Sequence, residues 1–458
     1  MEPKHRVVIL GGGFGGLYAA KALRNAPVEV TLLDRRNFHL FQPLLYQVAT
    51  GSLSPGEIAS PLRSVLHRQT NTRVLLGEAV DLDAERRRLI YDSGDLEYDS
   101  LIVAAGSGDF YFGHEEWKKV APGLKTIEEA TAIRHKLLYA FEAAEKETDP
   151  EKRREWLTFV LVGAGATGVE LAGALGEIAH DTLRHDFRSI RPEEAEILLL
   201  EGGPRVLPAY PADLSEKATA SLVRLGVTPR TNVLVTDICE SGVTVKTAAG
   251  IERIAARTVL WSAGVRASHF GKVLEQRAGA ELDRTGRVHV NPDCTVPGHP
   301  EILVIGDLAY IEKDGKPLPG VAQVAMQGGG YVAALIKKRL KGETAAPFRY
   351  FDKGNLAVIG RAAAVAQIGR LHLSGLIAWL VWLFVHLMYL VEFSNRVLVF
   401  IQWGFLYLTF NRGARLITGE VTTRSLKTPP APETQSSAAN YLLPTQPQAT
   451  PSAAIRHK

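Results

Sequence analysis

The stretch Phe159-Val-Leu-Val-Gly163-Ala-Gly165-Ala-Thr-Gly168-Val-Glu170 decides how this chain is read. β-Type apolar residues run into glycines at the G-x-G-x-x-G spacing, and Val169 to Ile178 then reads as a helix. The first glycine permits a tight turn, the second lets backbone approach a pyrophosphate, and the third lets helix pack closely on strand. A phosphate there meets free N–H groups at the positive end of the helix. Glycine-rich turns are common, so one copy is a weak signal. A second copy, Val7-Val-Ile-Leu-Gly11-Gly-Gly13-Phe-Gly-Gly16, lies about 150 residues upstream. Together they predict two dinucleotide sites in one chain.

Working outward from each turn, the two halves repeat one another. In the first, a helix over Gly16–Leu23 leads to a strand over Val28–Leu33 that ends at Asp34, 23 residues after Gly11. That is the separation at which an acid meets a ribose 2′-hydroxyl. In the second, the helix runs on towards Arg184, a basic insert follows, and the strand Glu196–Glu201 puts Glu201 where Asp34 stands. An acid there repels a 2′-phosphate and favours NADH over NADPH. The first half continues with an irregular aromatic loop over Phe38–Gly51, suited to a planar cofactor, hairpin strands over Val74–Asp92 and the small-residue strand Tyr98–Gly106. A helix over Thr126–Glu147 and a break at Asp149-Pro150 bridge the halves. The second half answers with strands around Asn232–Ile238 and Val243–Thr247, then Thr258–Gly264. A buried strand from Glu301 closes on Gly306-Asp307, and a helix over Val321–Lys341 carries Gln323 and Gln327 on one face.

The C-terminal third changes character. Gly375–Val391 is apolar apart from His386, which reads as a packed or interfacial histidine. A second apolar run, Val397–Phe410, contains Gln402. The first run is at the lower limit for crossing a hydrocarbon core and the second falls short of it. With Trp, Tyr and the flanking Arg396, Arg412 and Arg415, the pair reads first as a monotopic foot lying on a bilayer, with a true span and a core helical hairpin as the alternatives. From about Val421 the chain is rich in Pro, Ala, Ser, Thr and Gln and reads as a disordered tail. Across 458 residues, 46% hydrophobic and 22% charged is ordinary globular composition, and a dispersed net charge of +4 argues against a nucleic-acid partner. Cys239 and Cys294 show no metal-ligand spacing, so no metal site is expected and both read as reduced structural thiols. No signal peptide is expected, because the first apolar run ends at once in the glycine turn.

With these pieces in place, the chain resembles the type II NADH:quinone oxidoreductases, single-subunit, non-proton-pumping NADH dehydrogenases of the pyridine nucleotide-disulfide oxidoreductase-like flavoprotein superfamily. The resemblance covers about residues 6–420 and rests on both glycine turns, Phe41-Gln-Pro-Leu-Leu-Tyr-Gln-Val-Ala-Thr-Gly51, Gly168-Val-Glu170-Leu-Ala-Gly173, Gly306-Asp307, Ala322-Gln323-Val-Ala-Met-Gln327 and Asp352-Lys353-Gly354-Asn. It implies an α/β fold of two Rossmann-like dinucleotide-binding domains, for FAD and NADH, with a C-terminal helical membrane-anchoring region. The implied division is 1–125 and 296–345 for FAD, 126–295 for NADH, 346–420 for membrane association and 421–458 for the tail.

FAD would contact Gly11, Gly13, Phe14, Gly15, Gly16, Asp34, Arg35, Val80, Ala105, Gly106, Asp307, Ala322 and Gln323, with Pro43 and Leu44 lining its ring. NADH would contact Gly163, Gly165, Thr167, Gly168, Glu170, Glu201, Ala263 and Gly264. Glu170, Gln323, Gln327 and Lys353 would serve the chemistry beside the flavin and quinone. The implied reaction passes a hydride from NADH to FAD and two electrons onward to a membrane quinone of the respiratory chain. The implied setting is a homodimer on the cytoplasmic membrane face, held through residues 371–415. One rival is a sulfide:quinone oxidoreductase or another two-dinucleotide flavoenzyme, which needs cysteines at the flavin; Cys239 and Cys294 are poorly placed for that. The other is a non-catalytic flavoprotein that senses NADH, which needs neither Gln323 nor Gln327.

Overall fold

The first glycine turn follows His5–Leu10, an interior strand of a six-stranded sheet. The strand order is Thr295–Val296, His299–Val304, Ser100–Val103, His5–Leu10, Val28–Asp34 and Thr72–Leu76, and all but the first pairing are parallel. Residues 295–304 thus complete a sheet that residues 5–103 begin. Val7–Leu10 and Leu101–Val103 are buried without alternation, as expected of parallel strands covered on both faces. The computed structural model describes residues 4–409 and 412–418; the tail expected over 421–458 lies outside them.

The helix Phe14–Ala22 packs on this sheet, and Ala322–Arg339 packs on that helix. Their contact is close enough that a Cβ on Gly329 would stand 2.3 Å from the Gly15 carbonyl oxygen. A second, four-stranded parallel sheet has the order Val227–Thr231, Glu196–Glu201, Thr158–Val162 and Thr258–Trp261. Each half also carries a three-stranded antiparallel meander, 79–97 in the first and 234–255 in the second. Ser107–Asp109 and Val265–Ala267 pair antiparallel and tie the halves together.

Several elements differ from expectation. The helix of the central motif spans Ala166–Glu177 and does not continue as α-helix towards Arg184. A π-helical turn, Ile178–Thr182, follows it, with Leu183 N–H reaching back five residues to the Ile178 carbonyl. Residues 38–51 are not a loop. They form a short strand paired with Ala59–Pro61, a 3-10 turn at Gln42–Leu44 favoured by the preset φ of Pro43, and the helix Leu45–Ala49. Asp149-Pro150 does break the chain, but it also starts the helix Pro150–Leu157, whose first N–H groups the Asp149 carboxylate caps.

The segment 355–374 folds as a three-stranded antiparallel sheet, and the two apolar runs follow as helices Gly375–Tyr389 and Phe393–Thr409. Each buries a narrow stripe, Ala378 and Trp382 on one and Asn395, Val399 and Trp403 on the other. The remaining faces expose Ile377, Leu380, Phe384, Phe400, Ile401 and Phe405. Among the described residues no helix is long and apolar enough to cross a membrane. Arg412 departs from its expected part as an interfacial anchor: it is 3% exposed and turned inward.

Candidate active site

In a parallel sheet the loops beyond the carboxyl ends of the strands form one rim, and the first half's site residues fall there. Gly11 has φ +102°, and a Cβ on Gly16 would lie 1.8 Å from the Gly11 carbonyl oxygen, so both positions require glycine. A Cβ on Gly13 would meet nothing within 4 Å. Open space therefore faces an uncapped helix start, where a pyrophosphate fits. Asp34 accepts from the Gly12 N–H at 2.5 Å and from the Arg36 N–H at 2.6 Å. Burial pushes its carboxyl up, against the pull of those two N–H groups. On the same rim Ser107 donates to Asp307 at 2.7 Å, next to Ala105 and Gly106, and Leu44 is buried behind Pro43. Arg35 and Val80 are exposed. His39 went unnoticed in the sequence. It is buried beside the turn, bonded through Nδ1 to the Gly12 carbonyl, and its Nε2 has no partner.

The second half repeats this geometry. Gly163 has φ +97°, a Cβ on Gly168 would lie 1.9 Å from the Gly163 carbonyl oxygen, and one on Gly165 would meet nothing within 4 Å. Glu201 accepts from the Ala164 N–H and the Gly203 N–H, both at 2.8 Å. In each half, then, the acid at the tip of the second strand grips the residue that follows the first glycine. Ala263 and Gly264 close the other side, where Ala263 backbone would lie 2.7 Å from a Cβ on Gly163. Thr167 is exposed at the start of the helix.

Glu170 lies one turn into that helix. Its Oε1 accepts a long bond from the Val358 N–H at 3.4 Å, and burial pushes its carboxyl up to about 8. It lines a cavity that also meets Tyr46, Glu177, Trp382, Trp403 and Arg412. Glu177 sits seven residues on, on the same helix face, a spacing legible in the sequence and passed over. It pairs with Arg412 at 2.7 Å, and Arg412 also donates to Thr50 and Ser52. The segment after the second apolar helix is thereby pinned against the body, with Ala414 N–H donating to the Gly51 carbonyl. His386 is packed as expected, stacked on Trp382 at 4.3 Å and bonded to its carbonyl.

The two glutamines share a face as expected, and each uses one amide N–H and its oxygen on the linker. Gln323 donates to the Gly354 carbonyl and accepts from the Lys353 N–H, each at 3.0 Å. Gln327 does the same with Phe351, donating at 2.9 Å and accepting at 3.0 Å. The structure gives them the work of pinning residues 351–354 to the helix. Lys353 in turn donates to the Tyr389 hydroxyl at 2.8 Å, joining this linker to the first apolar helix. Cys294 is buried in the core of the first sheet and Cys239 lies in the second meander beside Ser241. Neither lines the cavity. Among the described residues there is no cluster able to hold a metal ion.

Comparison with known proteins agrees with this geometry. The pyridine nucleotide-disulphide oxidoreductase family matches residues 5–329, and the NDH2 C-terminal domain matches 353–409. A type II NADH:quinone oxidoreductase of Mycobacterium tuberculosis is 47% identical over 425 residues, 91% of each chain. One from Staphylococcus haemolyticus is 29% identical, covering 82% of this chain and 92% of its own. Among solved structures, NDH2 from Plasmodium falciparum in complex with NADH shares the fold, with a TM-score of 0.81 at 21% identity over 90% of this chain and 99% of that one. The sulfide:quinone oxidoreductase of Aquifex aeolicus shares it with a TM-score of 0.69 at 19% identity, over 86% and 91%. With 47% identity over 91% of both chains and family models matching 5–329 and 353–409, the chain belongs to the type II NADH:quinone oxidoreductases.

Proposed function

We propose that this chain oxidises NADH and reduces a lipid-soluble quinone, with FAD resident on the first glycine turn and NADH bound on the second. The observation that carries the reading is the doubled cradle: two open helix starts, each held by a strand-tip acid, with Glu170 and its cavity beside the second. A flavin, when bound, supplies the two-electron chemistry that couples a hydride donor to a quinone. The chain contributes alignment. Gly163–Gly168 and Glu201 hold the dinucleotide, while Ala105, Gly106 and Asp307 hold the cofactor's polyol side. Glu170 keeps a proton on its carboxyl at neutral pH and presents it to the cavity. Gln323, Gln327 and Lys353 act at one remove, by fixing the linker between the helix Ala322–Arg339 and the C-terminal sheet.

We place the protein on the cytoplasmic face of a membrane, resting on the exposed apolar sides of the helices within 371–415. A homodimer follows from the resemblance and is read from the mass of the detergent-free protein in solution. The test of the reaction is spectroscopic. Purified protein is expected to be yellow, to bleach on anaerobic addition of NADH and to recover on addition of a short-chain quinone. A colourless protein that cannot be reconstituted with FAD overturns the reading, and bleaching by sulfide in place of NADH, with recovery on quinone, would favour the sulfide:quinone alternative.

A further inference from the structure

The first glycine turn is gripped from both sides at one residue. The Asp34 carboxylate takes the Gly12 N–H at 2.5 Å, and His39 Nδ1 bonds the Gly12 carbonyl at 3.0 Å. His39 is 1% exposed and sits on the strand Phe38–Leu40, opposite Ser60. Its ring stands T-shaped to Phe14, the first residue of the helix that follows the turn, with 5.0 Å between centroids. A carbonyl only accepts, so the ring carries its proton on Nδ1 and donates it. Burial pushes the imidazole down to about 4, which keeps it neutral at neutral pH and leaves Nε2 an acceptor without a partner. His39 therefore brings the turn a hydrogen bond and no charge.

The second turn repeats the grip with different chemistry. There Glu201 takes the Ala164 N–H at 2.8 Å, and the Ala164 carbonyl accepts from the Leu207 N–H at 2.8 Å. Leu207 reaches it from the segment after the strand Glu196–Glu201, in the left-handed region at φ +48°. A side chain in one half and a main-chain amide in the other thus meet the same carbonyl of the duplicated turn. The donors differ, and the fixed carbonyl is common to both. Its value lies in the peptide group it belongs to. A planar trans peptide points its carbonyl and its N–H in opposite directions. A Gly12 carbonyl turned to His39 therefore turns the Gly13 N–H away from it, at the helix start where a Cβ on Gly13 would meet nothing within 4 Å.

We propose that His39 is a positioning residue for the flavin: its hold on the Gly12 carbonyl aims the Gly13 N–H at the cofactor's pyrophosphate and so sets how firmly FAD is retained. This rests on the reading that FAD occupies the first turn. The helix start attracts a phosphate through its dipole whatever the turn does. His39 adds a fixed direction for an N–H that the permissive pair Gly12-Gly13 would otherwise leave free to rotate. The second turn takes its carbonyl donor from the main chain, so the effect of His39 is confined to the resident cofactor.

The test uses the full-length chain stripped of flavin and titrated with FAD, binding being read from the change in flavin fluorescence. His39→Phe keeps a ring beside Phe14 and removes the N–H, whereas His39→Asn keeps an N–H close to the place of Nδ1. The Phe variant is expected to bind FAD about fivefold or more weakly, the scale of one lost hydrogen bond. The Asn variant should bind it within about twofold of wild type, and KM for NADH with FAD in saturating excess should stay within about twofold in both. Should His39→Phe fail to fold, His39→Leu, which has the shape of Asn without its donor, carries the same comparison. Unchanged FAD affinity in the donor-free variant overturns the proposal. So does equal weakening in the donor-free and Asn variants, because the packing of the ring and not its N–H would then be at work. A rise in the NADH KM that matches the loss for FAD overturns it too, since that reports a general loosening. Wild-type chain that takes up no FAD sinks the reading of the first turn instead, so the two failures are told apart.

Discussion

Glu170 shows how one side chain can be tuned by position alone. Its carboxyl has one long N–H partner and otherwise faces protein and the cavity, so burial dominates and raises it from 4.5 to about 8. The consequence for stability has a definite sign. Below about 4.5 the group is protonated folded and unfolded, and it contributes no pH dependence. As pH rises from there to about 8, the unfolded chain releases the proton while the folded protein keeps it. Folding then loses roughly 1.4 kcal/mol per pH unit, and the loss levels off above the folded value. Glu170→Gln removes the ionisation and keeps the shape. Its melting temperature should exceed that of wild type by a margin that widens between pH 5 and pH 8, reaching on the order of a few kcal/mol in stability. A margin independent of pH, measured by thermal unfolding of flavin-loaded protein, would show that Glu170 already ionises in the folded state.

At the scale of elements, glycine sets the distances. The helices Phe14–Ala22 and Ala322–Arg339 meet where Gly329 faces Gly15, and a Cβ on Gly329 would also stand 2.9 Å from the Ala19 nitrogen. Both obstacles are backbone, so neither can rotate away. Gly329→Ala should push the helices apart, cost about 1–3 kcal/mol and loosen the first cradle, because Gly15 belongs to its turn. Flavin should be released at lower temperature than from wild type; an unaltered release temperature would mean the helices tolerate the added methyl. This contact was not legible beforehand, since nothing in Gln327-Gly-Gly-Gly330 says which glycine meets another helix. What was legible follows from local rules. The turns at Gly11 and Gly163, the strand-tip acids Asp34 and Glu201 and the strand Glu196–Glu201 depend on short-range patterns that no tertiary contact overrides. The sheet over 355–374 stayed hidden, because an Ala-rich strand such as Ala363–Ile368 carries little β-propensity and is fixed by pairing with its neighbours. Arg412 misled for a related reason. A lone arginine after an apolar helix looks like an interfacial anchor, and its partner Glu177 is 235 residues away.

Across the whole molecule, one cavity draws its walls from the helix Leu45–Ala49 of the first half, the helix Ala166–Glu177 of the second, the C-terminal sheet and both apolar helices. The C-terminal region therefore supplies part of this cavity's wall, and on its other side it exposes Ile377, Phe384 and Ile401. The helix Gly375–Tyr389 has 15 residues and Phe393–Thr409 has 17. At 1.5 Å per residue they are about 23 and 26 Å long, short of a hydrocarbon core of about 30 Å. Side chains as large as Ile377, Phe384 and Ile401, each at least 60% exposed, lie on faces that the fold leaves uncovered. Each is worth about 1.5–3 kcal/mol on transfer out of water, so a few together suffice to hold the protein on a bilayer without spanning it. The variant Ile377→Glu/Phe384→Glu/Ile401→Glu replaces that gain with charges that resist leaving water. It should no longer co-sediment with phospholipid vesicles, and its turnover with a long-chain quinone embedded in them should fall at least tenfold. Because these three side chains point away from the cavity's lining, reduction of a water-soluble short-chain quinone should stay within about twofold of wild type, on the usual scale of surface substitutions. Undiminished sedimentation of the triple variant would move the membrane contact elsewhere on the molecule, and an equal loss with both quinones would make the exposed face part of the pocket itself.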